Sequence, residues 1–154
     1  MAKKYVTGSE ELEKRLGAMS AKMIAALKPA LKRSVEDVAA DAVALAQSHN
    51  RTGALVQSIE ATGPNETTPA FASDGGSRTA GPTEAFVTVG SPDARHGHLV
   101  EFGTDTRQHA DGTSTGEMPA APFLLPAWRL NKPKVERRLR RAISTGAKKA
   151  VQDV

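Results

Sequence analysis

The most apolar stretch of the chain is Met118-Pro119-Ala120-Ala121-Pro122-Phe123-Leu124-Leu125-Pro126-Ala127-Trp128, and it decides how the rest can pack. Prolines lack a backbone N–H and fix one backbone dihedral, so we expect no regular helix before Pro126. A segment stiffened by proline loses little conformational entropy when it docks. The pattern therefore predicts a rigid wedge that places Phe123, Leu124 and Trp128 on the core.

A basic amphipathic helix is predicted after this wedge, near Pro133 to Val151. From Arg129 to the C-terminus there are nine Lys/Arg against two acidic residues, whereas the rest of the chain has twelve against fifteen. The apolar face of the helix comprises Val135, Leu139, Ala142, Ile143 and Ala150. The opposite face carries Arg137, Arg141 and Lys148. Such a segment favours acidic partners, namely nucleic acid, an acidic protein surface or a neighbouring subunit.

The N-terminal region is predicted to be helical. Ser9 followed by acidic residues is typical of a helix start. Two apolar stripes follow at steps of three and four, Leu12, Leu16, Met19, Met23 and Leu27 and then Leu31, Val35, Val38, Ala42 and Leu45. Pro29 separates the stripes, and the spacing allows either a helical hairpin or one kinked rod.

The middle of the chain is predicted to form a small sheet with long loops. Residues 55–61 favour a short strand, residues 85–89 are the clearest strand, and residues 98–103 form a compact element. The polar segments 63–83 and 104–117 are expected to be mobile loops, the first alternatively the tip of a long hairpin.

Two glycines are predicted to act as pivots of the backbone. Gly53 is expected to adopt a conformation closed to other residues and to turn helix into strand, and Gly103 to do the same after Phe102. Together these patterns predict one α+β domain over residues 1–154, with an N-terminal helical region, a small antiparallel sheet, a C-terminal basic amphipathic helix and flexible termini.

Composition restricts the function. The 154 residues include no cysteine, which excludes disulfides, thiolate metal sites and cysteine nucleophiles. Aromatic residues are only 4% of the chain, so Ala, Leu and Val must pack the core, and such chains often bury more surface against copies of themselves. No apolar run approaches the roughly 20 residues that span a bilayer. The N-terminus lacks the apolar region of a signal peptide, so we expect assembly in the cytoplasm and no membrane partner.

Several residues between positions 96 and 109 carry side chains that can bind a metal. His96, His98 and Glu101 offer zinc donors, with His109 nearby, but their spacing matches no zinc signature. Surface histidines in a turn, and a glutamate that caps or pairs locally, are the simpler interpretation. The chain has no G-x-S-x-G elbow, Walker loop or G-x-G-x-x-G fingerprint. We predict a protein that is not an enzyme and holds no metal and no cofactor.

Three motifs in order give the chain a family resemblance. They are Arg51-Thr52-Gly53-Ala54-Leu55 with Ser58-Ile59, then His98-Leu99-Val100-Glu101-Phe102-Gly103-Thr104, then residues 119–127 before a basic helix. In this order they resemble the small neck proteins of long-tailed double-stranded DNA bacteriophages, also termed tail-completion proteins or minor tail components. The resemblance runs from about Ser9 to Ala150. The chain departs from the family in having His98 where an aromatic residue is frequent, and no proline before Thr52.

The resemblance implies a structural virion protein in a homo-oligomeric ring, sixfold like the tail, at the head–tail junction. Implied partners are the tail terminator, the head-completion (stopper) protein and other tail proteins, with non-specific contact to DNA through Arg137, Arg141 and Lys148. The implied structural motif comprises Thr52, Gly53, Leu55, Ile59, Val100, Glu101, Phe102, Gly103, Pro122, Phe123, Pro126 and Trp128. The alternatives are the tail terminator itself, a DNA-binding protein and a metal-dependent hydrolase.

Overall fold

A computed structural model describes residues 9–49, 52–70, 76–92 and 94–152 of the chain. The elements in chain order are α1 (Ser9–Ala46), a 3₁₀ turn (Gln47–His49), α2 (Ala54–Gln57), β1 (Ile59–Thr62), β2 (Phe86–Val89), α3 (Gly97–Phe102), β3 (Thr104–Gln108), β4 (Ser114–Met118) and α4 (Leu124–Gln152). The predicted α+β class is confirmed, with helices at both ends and antiparallel strands between them.

The N-terminal region is one continuous helix of 38 residues, and Pro29 lies inside it. Of the two arrangements that the sequence left open, the helical hairpin is therefore wrong. Helix α1 runs beside α4, and the two approach closely at Gly146, where an added Cβ would lie 2.9 Å from the Cβ of Ala26. This long packed interface stabilises the helix despite the backbone hydrogen bond that Pro29 removes.

The C-terminal helix starts earlier than predicted. It begins at Leu124 rather than near Pro133, and the expectation of no helix before Pro126 is wrong. Pro126 lies in the first turn, where the backbone N–H has no partner within the helix in any case. Pro133 is tolerated inside α4 because the flanking residues Asn131 and Val135 are buried.

Strands β1 and β2 form a two-stranded antiparallel hairpin, with Ile59 opposite Val89 and Thr62 opposite Phe86. The strand predicted over residues 55–61 begins later, because Ala54–Gln57 form a short helix. Within the described residues, the connecting segment 63–83 extends the hairpin, since Thr67 and Thr79 form a further antiparallel bridge. The hairpin-tip alternative for this segment is therefore confirmed.

Residues 104–117 are a second hairpin and not the polar loop that composition indicated. Strand β3 pairs antiparallel with β4, with Thr104 opposite Met118 and Gln108 opposite Ser114. The turn is closed by hydrogen bonds between His109 and both Thr113 and Gly112. Neither face of this hairpin is buried, so its strands do not alternate between apolar and polar residues, and the sequence did not indicate strands here.

The core lies where α1, β1, α3 and the start of α4 meet. Phe123 is the largest fully buried side chain, at 1% exposure. The other members of the cluster are mostly small or aliphatic, namely Val38, Ala39, Ala42, Ala46, Leu55, Ile59, Val100, Ala127 and Val135. This matches the expectation from the low aromatic content. None of the helices within the described ranges has the length and apolar character required to cross a bilayer.

Candidate assembly site

Glu101 joins the second and third sequence motifs. Its side chain is buried, at 6% exposure, near the end of α3. Its carboxylate accepts hydrogen bonds from the backbone N–H groups of Phe123 (2.8 Å), Leu124 (2.9 Å) and Leu125 (2.9 Å). These N–H groups have no acceptor within α4, and the carboxylate lies at the positive end of the helix dipole. Glu101 is therefore the N-terminal cap of α4.

The expectation that this glutamate caps a helix is confirmed, but the expected local partner is wrong. The capped residues lie more than twenty positions further along the chain. A second bond supports the same junction, since the backbone N–H of Ala121 donates to the carbonyl of Val100 at 2.8 Å. The wedge is thus attached to α3 through both backbone and side chain.

Gly103 ends α3 with φ 75° and ψ −176°, a conformation that favours glycine. An added Cβ would lie 2.8 Å from both the backbone nitrogen of Ala120 and the carbonyl oxygen of Met118. Both the positive φ and this close approach require glycine here. The predicted pivot after Phe102 is confirmed, and it also allows the two ends of the β3–β4 hairpin to meet.

Gly53 has φ 87°, which confirms the predicted left-handed conformation. It precedes the short helix α2, so the predicted direct change from helix to strand is wrong. The neighbouring Thr52 is exposed, and its hydroxyl accepts a weak bond from the N–H of Ala54 at 3.5 Å. Leu55 and Val100 belong to one buried cluster, so the first motif packs on the second. Leu55 also lies beside Gly97 at the start of α3, where an added Cβ would be 3.7 Å from a Leu55 methyl.

The structure brings part of the predicted motif together and leaves part at the surface. Leu55, Ile59, Val100 and Phe123 belong to one buried cluster. Pro126 is half-buried, whereas Thr52, Phe102, Pro122 and Trp128 are exposed. Leu124 packs against the cluster from its edge. The predicted docking of the wedge is therefore correct for Phe123 and Leu124, while Trp128 keeps 44% of its surface exposed.

An apolar groove, which we call the β2 groove, follows strand β2 between α3, α4 and α1. Its two parts measure about 340 and 420 Å³ and share Phe86, Val87, Leu124 and Leu125. Phe102, at 70% exposure, lies on the α3 side, and Trp128 lies on the α1 side. Sequence reasoning missed this groove. A signal for it in the sequence was that strand β2 and the wedge, residues 118–128, contain more large apolar residues than a small core needs.

The basic C-terminal helix divides its charges between two faces. Asp37 of α1 is 2.6 Å from Arg138 and 2.9 Å from Lys134. These hydrogen bonds, with that of Arg138 the stronger influence, hold the pKa of Asp37 below its ordinary value. Arg138 also donates to the hydroxyl of Ser34 at 3.0 Å. These two cations therefore attach α4 to α1.

The three basic residues predicted to contact DNA or a partner, Arg137, Arg141 and Lys148, are exposed. The exposed Leu130 precedes them on the outer face of α4. The helix thus presents positive charge to its surroundings on the side away from α1.

The histidine cluster offers little to a metal in this conformation. His96 and His98 are exposed, and Glu101 already accepts three hydrogen bonds from α4. Within the described ranges, no three His, Asp or Glu side chains are arranged to hold a metal ion together.

Comparison with known proteins gives the family. Residues 10–103 match the HK97-gp10-like family, described as a bacteriophage tail component. The matched part runs from the start of α1 to the glycine that ends α3, so it includes Gly53 and Glu101 and leaves α4 outside. No curated protein and no solved structure gives a significant match. Because the family match spans more than half of the 154 residues, the chain belongs to the HK97-gp10-like family of bacteriophage tail components.

Proposed function

We propose that this tail component forms a homo-oligomeric ring, a hexamer, at the head–tail junction and makes tails competent to join filled heads. A phage tail component is part of the virion, and the proposal concerns where it lies there and what it does. The observation that carries the proposal is the β2 groove. Among the residues that the structure describes, nothing fills this groove, and Phe102, Leu125 and Trp128 are exposed along it.

Large apolar side chains that share one exposed surface mark an interaction site, since single copies of soluble proteins seldom expose such a patch. Phe102 supports this argument most strongly. It follows the capping residue Glu101 directly and precedes the constrained Gly103, so its position is fixed by the backbone on both sides. A fixed and exposed aromatic side chain suits protein–protein contact.

The role proposed here is structural. Two polar residues of the motif form hydrogen bonds to the backbone. The carboxylate of Glu101 caps α4, and the hydroxyl of Thr52 accepts a bond from the first turn of α2. The proposed partners are other copies, the tail terminator, the head-completion (stopper) protein and other tail proteins. Packaged DNA crosses such a junction, and the exposed Arg137, Arg141 and Lys148 would neutralise its phosphates without sequence preference.

Deletion of the gene from the phage genome tests the proposal. We expect full heads and separate tails of normal length that fail to join, with infectivity restored by the wild-type protein supplied in trans. Tails of abnormal length would indicate the tail terminator role instead. A normal yield of joined, infectious particles without the protein would refute the proposed function.

A further inference from the structure

Strand β2 has an open edge beside the groove. The backbone N–H of Gly90 donates to the carbonyl of Ser58, which identifies these two as a hydrogen-bonded pair of the antiparallel ladder. Such pairs alternate along a ladder, so the peptide groups of Val87 and Val89 point away from β1. In the part of the chain that the structure describes, β2 pairs with β1 alone. An edge of this kind can accept a further strand.

A buried polar atom at the same place also lacks a partner. Thr88 is one of the residues that line the β2 groove, and its hydroxyl oxygen is buried and has no hydrogen bond within the described residues. Buried hydroxyl groups in folded proteins are nearly always hydrogen-bonded, because an unpaired one loses its hydration without compensation. A strand that adds beside β2 would supply the missing partner once the side chains that cover this hydroxyl move aside.

The β3–β4 hairpin, which we call the arm, is an exposed strand pair. Every residue of β4 is exposed, and so are Asp105, Thr106 and Gln108 of β3. A two-stranded hairpin is only marginally stable by itself, so a hairpin of this length is expected to order fully against another surface. Its outer edges are available for pairing with another strand.

The arm and the groove also differ in charge. The arm carries three carboxylates, Asp105, Asp111 and Glu117, and one guanidinium, Arg107, so its net charge is −2. The groove is bordered by Arg78, which stacks 4.5 Å from the centre of the Phe86 ring and lies 3.4 Å from the carboxylate of Glu84. Arg78 is more than half exposed, so its guanidinium can pair with a carboxylate of the arm beside Glu84, which favours the acidic arm over a basic segment as the occupant.

We propose that the arm of one copy adds to the open edge of β2 in the next copy and lies in its β2 groove. Strand addition of this kind obtains affinity from main-chain hydrogen bonds, which explains how a polar arm can occupy this site. Because the arm and the groove are different surfaces of one chain, the contact is head-to-tail, and its repetition gives a closed ring when the rotations between copies sum to a full turn and an open filament when they do not. The inference rests on the proposed ring and specifies the contact that builds it.

Disulfide trapping tests the contact, and the chain suits it because it contains no cysteine. The test variant carries His98→Cys at the groove and Gln108→Cys on the arm. The control carries Gln108→Cys with Arg141→Cys, an exposed site on the outer face of α4. Both are oxidised as purified protein at high concentration and in phage particles, and are then separated by non-reducing denaturing electrophoresis.

We expect the test variant to give a ladder of covalent oligomers that ends at the ring, with at least five times more crosslinked protein than the control. A test variant that stays a single-copy band in both preparations, or that crosslinks only within one copy, would overturn the proposal. Crosslinking to another tail protein alone would overturn it as well, because the groove would then accept a different strand.

Charge exchange gives a second, independent measurement. The paired change Asp105→Lys with Glu117→Lys is expected to reduce ring formation at least tenfold, and added Arg78→Glu to restore part of it. A variant whose arm is shortened to a turn between Thr104 and Met118 should remain folded and fail to form rings. Intact rings without the arm would refute the arm contact while leaving the proposed role at the head–tail junction in place, since gene deletion tests that role separately.

Discussion

At the scale of single residues, the carboxylate of Glu101 holds the start of α4 beside α3, because it accepts hydrogen bonds from three backbone N–H groups there. Glu101→Gln keeps the shape of the side chain but removes the charge and one acceptor. We expect the free energy of unfolding to fall by about 1–3 kcal/mol, the usual cost of losing a charged hydrogen bond and leaving a buried donor unpaired. Urea unfolding, monitored by circular dichroism, measures this change in the free energy of unfolding.

The matched control is Glu136→Gln, an exposed glutamate further along α4. It should change stability by less than about 0.5 kcal/mol, as is usual for surface substitutions. Equal stability of the Glu101→Gln and Glu136→Gln variants would show that the cap contributes nothing.

Gly103 offers a comparison in which backbone strain and steric overlap can be separated. Gly103→Ala combines a positive φ with a Cβ that would lie 2.8 Å from two backbone atoms. Gly112 has a similar φ of 83° and open space around it. We expect Gly112→Ala to cost about 1 kcal/mol through φ alone and Gly103→Ala to cost clearly more, up to about 3 kcal/mol. Thermal melts of both variants measure the difference, and equal losses would contradict the role given to the close approach.

At the scale of elements, α1 and α4 are joined through Asp37, whose pKa is lowered by hydrogen bonds from Arg138 and then Lys134. A carboxyl group with a lowered pKa stabilises the folded state fully above its ordinary pKa of 3.8. That contribution is lost as the pH falls from there through the lower pKa of the folded state. We expect Asp37→Asn to lower the urea midpoint at pH 6 and to have a smaller effect at pH 2.5.

The corresponding control for this pH series is Asp105→Asn, an exposed carboxylate on the arm. It should leave the urea midpoint of the single-copy protein nearly unchanged across the same range. A loss of stability in Asp37→Asn that is as large at pH 2.5 as at pH 6 would show that the ion pair does not cause it.

The elements also show how far the sequence could predict this fold. The apolar stripes of α1 and the glycine conformations at positions 53 and 103 follow from local periodicity and backbone sterics, which sequence records directly. The continuity of α1 through Pro29 and the early start of α4 do not, because long-range packing between the two helices outweighs the local preference of proline. The arm could not be predicted for a different reason. A hairpin with no buried face has no alternation of apolar and polar residues, which is the pattern that indicates a strand.

The residues that Glu101 caps could not be predicted from the sequence either. A sequence shows that a glutamate near a helix end favours capping, but not which helix it caps. Only the fold brings α3 and the wedge together. The β2 groove is likewise formed by three segments far apart in the chain, so no local pattern contained it.

At the scale of the whole molecule, one chain combines a rigid core with an open apolar surface, and the two can be tested against each other. Phe123 is fully buried, so Phe123→Ala should leave a cavity and destabilise the protein by about 3–5 kcal/mol. Phe102 is largely exposed beside the groove, so Phe102→Ser should change the stability of a single copy by less than about 0.5 kcal/mol. Trp128 buries more than half of its surface, so Trp128→Ser should cost about 1–2 kcal/mol.

The same two surface variants should abolish or strongly weaken ring formation, because large aromatic side chains contribute most of the affinity at protein interfaces. Native mass spectrometry of purified protein and rescue of the gene deletion measure assembly, while thermal melts measure folding. Leu130→Ser, on the outer face of α4, is the control for a general effect of removing exposed apolar surface. If Phe102→Ser and Trp128→Ser both assembled and rescued as well as Leu130→Ser, the β2 groove would not be the surface through which copies of this tail component meet.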